Sequence, residues 1–478
     1  MKNNTVVKNT YLAVDFGGGS GRVMAGSLFQ GKLELEEVYR FPNRQVKLGK
    51  HLYWDFPALF AEMMNGLKEA ARRGYAVKGI GIDTWGVDFG LIDKNGNLLG
   101  NPVCYRDSRT DGTPDKVFRQ LDPRDHYRTT GIQVMSINTL FQLYSMKEAG
   151  DPQLAVADKL LFMPDLFSYF LTGVADTEYS IASTSELLDA RGRCWSVDTA
   201  RALGLPEHLF GRLVMPGTVR GRLTDEVARE TGLGAVDVIA VGSHDTASAV
   251  VAVPVTDDTV AFLSSGTWSL LGVELDEPIL TEEARLAPFT NEGGVGGRIC
   301  FLQNITGLWI VQRLMAEWKQ RGEEQTYDEL IPQAESAVVT ACIPVDDACF
   351  MNPGNMEAAI LGYCREHGLP QPQGKAEMMK CVLQSLALKY KDAVSRLNRL
   401  LPAPVSRLNI IGGGSQNRLL NQLTADALGI PVQAGPVEAT AIGNILTQAM
   451  AKGEVAGLDE LRGIVARSFA SQLYYPRK

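Results

Sequence analysis

The stretch that decides the fold is Tyr11–Arg40, YLAVDFGGGSGRVMAGSLFQGKLELEEVYR. Tyr11–Asp15 is a short apolar strand signal, and Gly17-Gly18-Gly19-Ser20-Gly21 is a turn. Apolar character resumes over Val23–Leu28, and Lys32–Arg40 alternates apolar and polar residues with the period of a half-exposed strand. The pattern predicts an antiparallel strand–turn–strand–turn–strand meander. It is not the strand, glycine loop and helix of a P-loop or a dinucleotide-binding unit.

Outward from this meander the chain alternates helix-like and strand-like segments, the signature of an α/β protein. Pro57–Arg73 places Leu59, Met63, Leu67 and Ala70 on one helical face, Val77–Asp83 reads as a buried strand, and Leu91–Leu99 as a hairpin around Asn95-Gly96. Thr139–Ala149 and Pro164–Leu171 read as helices. After the apolar strand Val236–Val241 the opening plan returns: strand Asp257–Leu263, turn Ser264-Ser265-Gly266-Thr267, strand Trp268–Leu275. Helices over Gly307–Arg321 and Lys375–Leu401 follow, then the strand Ser406–Ile411, Gly412-Gly413-Gly414 and a helix over Asn417–Leu428. Two distantly similar halves are expected, 1–250 and 251–478, with the active site in the cleft between them.

Composition narrows the chemistry. The 478 residues are 45% hydrophobic and 21% charged, as in ordinary globular proteins. Lys and Arg total 47 against 55 Asp and Glu, a net charge of −8, which disfavours nucleic acid as a partner. Backbone N–H groups can still bind a nucleotide. The sequence has no apolar run long enough to span a membrane and its N-terminal stretch is unlike a secretory signal, so a cytoplasmic location is expected. Seven cysteines without a CxxC pair, and five scattered histidines without HExxH, argue against a disulfide framework, a zinc ribbon or a histidine metal centre.

Six constellations carry candidate chemistry. In Asp15–Arg22 the glycines let backbone donors approach an anion, Asp15 is placed for Mg²⁺, and Arg22 for phosphates, although a plain hairpin turn has the same residues. Ser264–Ser269 repeats that plan more weakly, and Gly412–Asn417 joins a strand to a helix start. Ser243-His244-Asp245-Thr246 stands at a strand end. Asp245 there is a candidate base for a substrate hydroxyl, or with Ser243 a helix cap. A Ser–His–Asp hydrolase is excluded because the three residues are consecutive and no GxSxG elbow precedes them. Gly81–Phe89 flanks Trp85 with Asp83 and Asp88, a set suited to a sugar or to a packed core. Asn291-Glu292-Gly293-Gly294 and Gln303–Trp309 offer amides, with Asn304 able to donate to and accept from a hydroxyl, or with Thr306 to cap a helix.

Taken in order, VDFGGGSGR, GIDTWGVDF, YRDSRT, SHDTASAV, LSSGTWSLLG, TNEGG, NITGLW and GGGSQN resemble the motifs of the FGGY carbohydrate kinases over nearly the whole chain. The closest likeness is to the group that phosphorylates L-rhamnulose. The resemblance implies two ribonuclease-H-like domains of the actin-like ATPase type and ATP- and Mg²⁺-dependent phosphorylation of L-rhamnulose at O1 in L-rhamnose catabolism. The N-terminal domain would bind the sugar and carry the first phosphate loop, and the C-terminal domain would bind ATP. The resemblance makes Asp245 the catalytic base, and Gly86, His244, Asp245, Thr246 and Asn304 the sugar site. Gly18, Gly19, Ser20, Gly21, Arg22, Thr267, Gln312 and Gly413 fall on ATP-contacting positions, and Asp15 on the carboxylate near Mg²⁺. The family's turn often carries a second hydroxyl where this chain has Gly17-Gly18-Gly19-Ser20-Gly21. Cys364 and Cys381 resemble in their separation a cysteine pair of some members and are expected as thiols in the cytosol, with a disulfide between them as the alternative. Small-molecule sugar and ATP are the expected partners, and a monomer or homodimer the expected assembly. The alternatives are a kinase for another ketose such as L-fuculose, or a catalytically silent nucleotide-binding protein.

Overall fold

The computed structural model describes residues 9–254, 257, 259–351 and 353–477. Its contacts divide the chain into two units. The first is Met1–Pro254, Glu274–Phe301 and Ala439–Ser468; the second is Val255–Val273, Leu302–Glu438 and Phe469–Lys478.

The first unit opens with the meander expected from the sequence: β1 (Asn9–Phe16), β2 (Ser20–Phe29) and β3 (Lys32–Pro42), paired antiparallel. Helix α1 (Phe56–Arg72) follows; Asp55 caps it by accepting from Ala58 N at 3.3 Å, and Leu59, Met63, Leu67 and Ala70 are all buried. Strand β4 (Ala76–Thr84) runs parallel to β1. Helices also form at Thr139–Glu148 and Met163–Thr172, within a residue or two of their expected bounds.

The hairpin read around Asn95-Gly96 is only half of what forms there. Gly96 takes φ +84° and its N–H closes a tight turn by donating to Asp93 O at 2.9 Å, with Leu99 N donating to Leu91 O beyond it at 2.9 Å. The main partner of β5 (Phe89–Asp93), however, is β6 (Ala157–Phe162), which pairs with it antiparallel from more than sixty residues away. Strands β7 (Val219–Arg222) and β8 (Asp237–Ile239) complete the main sheet, in the order β7-β8-β4-β1-β2-β3. The chain then enters α2 (Asp245–Val251).

In the second unit β9 (Val260–Ser265) and β10 (Trp268–Leu275) form the second hairpin, followed by β11 (Ile299–Thr306) and helices α3 (Trp309–Gln320) and α4 (Gly374–Asn398). The expected start of β9 at Asp257 touches residue 258, which lies outside the described residues. Strand β12 (Arg407–Ile411), helix α5 (Arg418–Leu428), β13 (Val432–Ala434) and β14 (Gln472–Tyr474) complete the unit. Of the seven strands of this sheet, six stand in the order β11-β10-β9-β12-β13-β14. This is the first unit's β3-β2-β1-β4-β8-β7 repeated, with the last strand antiparallel in both. The likeness of the two hairpins in the sequence thus extends to whole sheets.

The helix Ala439–Ala451 belongs to the first unit although it lies near the C-terminal end of the chain. It packs closely on α2: a Cβ on Gly443 would lie 1.8 Å from Ser248 O, so only glycine allows this approach. Among the described residues no helix is long and apolar enough to cross a membrane. All seven cysteines, Cys364 and Cys381 among them, are free thiols.

Candidate active site

In the first unit, three chain segments bring carboxylates to one end of the sheet. Asp15 in β1 is in register with Asp83 in β4, and β4 continues into a bridge between Thr84 and His244, with Thr84 N donating to Ser243 O at 2.9 Å. Asp245 follows directly. Across the β1–β2 hairpin, Asp15 faces Arg22 and forms an ion pair with it at 2.8 Å. Asp83 is fully buried; its Oδ2 accepts from Asn444 Nδ2 at 2.6 Å, and among the described residues its Oδ1 has no partner. Burial, and then the charge of Asp15, push its carboxyl well above the usual range.

Asp245 is the first residue of α2, whose N-cap is His244 and which has no side-chain cap. Neither Asp245 nor Ser243 therefore caps the helix. The Asp245 carboxylate keeps 34% of its side-chain surface open and accepts from Thr246 Oγ1 at 3.2 Å. Its low-dielectric surroundings raise its pKa, with Asp15 adding to the shift and His244 opposing it. His244 Nδ1 lies 3.1 Å from Glu292 Oε2, a charge pair off the hydrogen-bond axis, and Nε2 lies 3.5 Å from Asp245 Oδ1. Burial alone would lower the imidazole pKa; the charge of Glu292, with Asp245 and Glu178, outweighs it and raises it. Gly86 stands against this ring: a Cβ there would lie 3.4 Å from His244 Nε2 and 3.3 Å from Thr184 Oγ1. Gly86, His244, Asp245 and Thr246 thus form one neighbourhood.

Trp85 and Asp88 belong to the core instead. Trp85 is 6% exposed and tilts against Trp54 with ring centroids 4.1 Å apart. Asp88 Oδ2 accepts from Trp54 Nε1, Trp85 Nε1 and Tyr105 N, and Oδ1 accepts from Gln142 Nε2. Both carboxylate oxygens are therefore occupied by structural donors, although burial still pushes this carboxyl up to about 6.

The loop Gly17–Gly21 directs its carbonyls backwards. Asn43 Nδ2 donates to Gly17 O at 2.8 Å, Asn43 N to Gly19 O at 3.1 Å, and Gln45 Nε2 to Gly18 O at 3.4 Å. Among the described residues the N–H groups of Gly18 and Gly19 donate to nothing, and a Cβ on either would meet nothing within 4 Å. Exposed backbone donors with open space before them suit an anion. Gly21 differs, since its Cβ would strike the Phe41 ring at 2.3 Å.

The second unit gathers the other nucleotide candidates. Thr267 Oγ1 donates to Gln312 Oε1 at 3.1 Å, which ties the second hairpin turn to α3. A Cβ on Gly414 would lie 2.0 Å from Ser265 Oγ, so the third glycine loop rests on the second turn, while Gly413 faces open space. The helix expected from Asn417 begins one residue later, at Arg418, after a 3-10 turn over Gly413–Gln416, and Asn417 caps α5 by accepting from Leu420 N at 3.0 Å. Asn304 lies within β11, and α3 begins without a side-chain cap, so neither Asn304 nor Thr306 caps that helix.

The sequence pattern does not mark Glu178, Ser180 or Asn444, and in TNEGG it marks the amide of Asn291 without a role for Glu292. Asp83, Glu178 and Ser180 are 0% exposed, and Glu178 and Ser180 sit in TEYSIAS, a run with no periodicity to flag it.

Two family models match the chain. The C-terminal domain of the FGGY family of carbohydrate kinases matches residues 261–452, and its N-terminal domain residues 10–252. The chain belongs to the FGGY family of carbohydrate kinases. Among its FGGY relatives, a rhamnulokinase of Bacteroides thetaiotaomicron is 48% identical over 98% of this chain and 96% of its own. One from Pectobacterium atrosepticum is 43% identical over 98% and 94%, and one from Oceanobacillus iheyensis 40% identical over 97% of each. Solved structures share the fold: a xylulose kinase from Lactobacillus acidophilus has a TM-score of 0.80 at 15% identity, covering 98% of this chain and 94% of its own. A Plasmodium falciparum glycerol kinase with ADP has a TM-score of 0.80 at 14% identity and the same coverage. The FGGY fold is the two-domain, actin-like ATPase type, and this FGGY protein is a sugar kinase with ATP as a substrate.

Proposed function

We propose that this kinase transfers the γ-phosphoryl group of ATP to O1 of L-rhamnulose, giving L-rhamnulose 1-phosphate and ADP. The observation that carries the chemistry is Asp245, an accessible carboxylate with a raised pKa, beside His244 and Gly86. The choice of sugar rests on the near-full-length likeness to rhamnulokinases.

The O1 hydroxyl donates to Asp245, which takes its proton as the O1–P bond forms and the bond from the γ-phosphorus to the bridging oxygen breaks. A raised pKa makes Asp245 a better proton acceptor. His244, Gly86, Thr246 and Asn304 bind the sugar and set the orientation of O1. The free N–H groups of Gly18 and Gly19, with Ser20, Gly21, Arg22, Thr267, Gln312 and Gly413, hold ATP. Among the described residues no group of three or more acidic, histidine or cysteine side chains forms a metal cage. A Mg²⁺ ion carried by ATP and touching one carboxylate, Asp15, fits that donor set and would neutralise phosphate charge.

The test is a panel of L-rhamnulose, L-fuculose, D-xylulose and L-rhamnose with ATP and Mg²⁺, scored by ADP release. L-rhamnulose should give the highest kcat/KM, because a misplaced hydroxyl leaves buried polar groups unpaired. L-rhamnose should be nearly inert. Preference for L-fuculose or D-xylulose would move the substrate and leave the kinase; no sugar-dependent ADP release would sink the catalytic reading.

A further inference from the structure

The loop that delivers Asp245 is held from behind by a pair of fully buried side chains on another segment. Glu178 and Ser180 are both 0% exposed. Glu178 Oε2 accepts from Ser243 N at 3.2 Å, and Ser180 Oγ accepts from His244 N at 3.2 Å. Ser180 Oγ in turn donates to Glu178 Oε2 at 2.5 Å, and Glu178 also caps its own short helix by accepting from Ser180 N and Ile181 N. The same segment reaches the sugar-side residues at Thr184, whose Oγ1 accepts from Val87 N at 3.2 Å beside Gly86.

These bonds have a specific consequence for the base. Ser243 and His244 are the two residues before Asp245, and no side chain caps α2. Their amide directions are therefore fixed by Glu178 and Ser180. A carboxylate accepting several backbone N–H groups in a dry interior is a stiff anchor, because each lost acceptor leaves a buried donor unpaired. Glu178 is itself anchored: its N donates to Asp165 Oδ1 at 3.1 Å, and Asp165 is paired with Arg220 at 2.8 Å.

We propose that Glu178 and Ser180 are positioning residues that hold the Ser243–His244 backbone and so aim the Asp245 carboxylate at the acceptor hydroxyl. The proposal rests on Asp245 acting as the base. The brace sets the geometry of proton transfer and touches neither substrate. Its loss should therefore fall on kcat, with little effect on the KM for ATP.

The experiment compares Glu178→Gln, Ser180→Ala and the double variant with wild type on whichever ketose the wild type phosphorylates best. Wild-type failure on L-rhamnulose would then count against the substrate and not against the brace. Turnover is divided by the number of sites that bind a non-hydrolysable ATP analogue in calorimetry, so misfolded protein is not counted. Misplacement by about 1 Å costs on the order of 100-fold, so each single variant should lose roughly 10- to 100-fold in kcat per competent site. The KM for ATP should move less than about threefold, and the double variant should be little worse than Glu178→Gln, because both act through one loop. Kcat per competent site within about twofold of wild type in both single variants would overturn the proposal. So would fully additive losses, or losses shared equally between kcat and the KM for ATP, which mark general loosening of the fold.

Discussion

His244 and Glu292 meet at 3.1 Å, and both side chains are less than a tenth exposed. Glu292 is the principal reason the imidazole holds its proton against burial. The folded pKa lies above the unfolded value, so the pair's stabilisation is fully present below about pH 6.5 and fades as pH rises through the folded pKa. Glu292→Gln should lower the His244 pKa seen by NMR titration and remove that pH dependence from Tm. The same variant should raise the KM for the sugar, since Glu292 no longer favours the charged form of the ring beside Gly86. A histidine pKa unchanged in the variant would show that Glu292 does not control the charge.

Asp245→Asn preserves shape but cannot take a proton. General-base catalysis is worth about 10²–10⁴-fold, so turnover should fall by that order while ATP binding and the melting temperature stay close to wild type. Retention of more than about a tenth of wild-type kcat would remove Asp245 from the role of base.

How far the sequence was legible follows from where each interaction reaches. The β1–β2 meander, the buried face of α1 and the turn at Asn95-Gly96 rest on neighbours within a few residues, and period and turn chemistry reveal them. The partner of Phe89–Asp93 does not, because Ala157–Phe162 pairs with it through distant chain. Among the site residues, motif order pointed to Asp15, Gly86, His244 and Asp245, and the structure brings the last three together. Trp85 reads equally as a sugar platform or a core ring, and only the convergence of two indoles on Asp88 decides for the core. Asn444 meets Asp83 across 361 positions, and local pattern carries no trace of such a contact.

The glycines of the loops divide into two kinds. Gly18 has open space where a Cβ would go, and Gly266 meets only Trp268 O at 3.9 Å. Gly18→Val and Gly266→Val should therefore fold and raise the KM for ATP far more than that for the sugar, by obstructing backbone approach to phosphate. Gly21→Ala and Gly414→Ala should instead lower the melting temperature, since their Cβ atoms would strike Phe41 at 2.3 Å and Ser265 Oγ at 2.0 Å. Thermal scans beside steady-state kinetics separate the two classes. An unchanged KM for ATP in both valine variants would take these loops out of the nucleotide site.

Arg220 offers the sharpest test of stability. Its guanidinium is 1% exposed and pairs with Asp165 at 2.8 Å, while its Nε donates to Asp176 Oδ1 at 2.6 Å. Burial still pushes the Asp165 carboxyl up to about 6, even with Arg220 opposing the shift. Arg220→Met leaves the buried Asp165 without its cation and Asp176 with Arg212 alone, at 3.5 Å, a change worth about 3–5 kcal/mol in buried pairs. The loss should depend on pH. An acid whose folded pKa exceeds its unfolded value destabilises the fold as pH rises between the two, and removing Arg220 raises the folded value further. The melting-temperature gap between wild type and Arg220→Met should thus be smallest near about pH 5, where Asp165 can stay protonated, and widen toward about pH 8. A gap that stays constant across that range, or a loss below about 1 kcal/mol, would show that Arg220 does not compensate the buried charge.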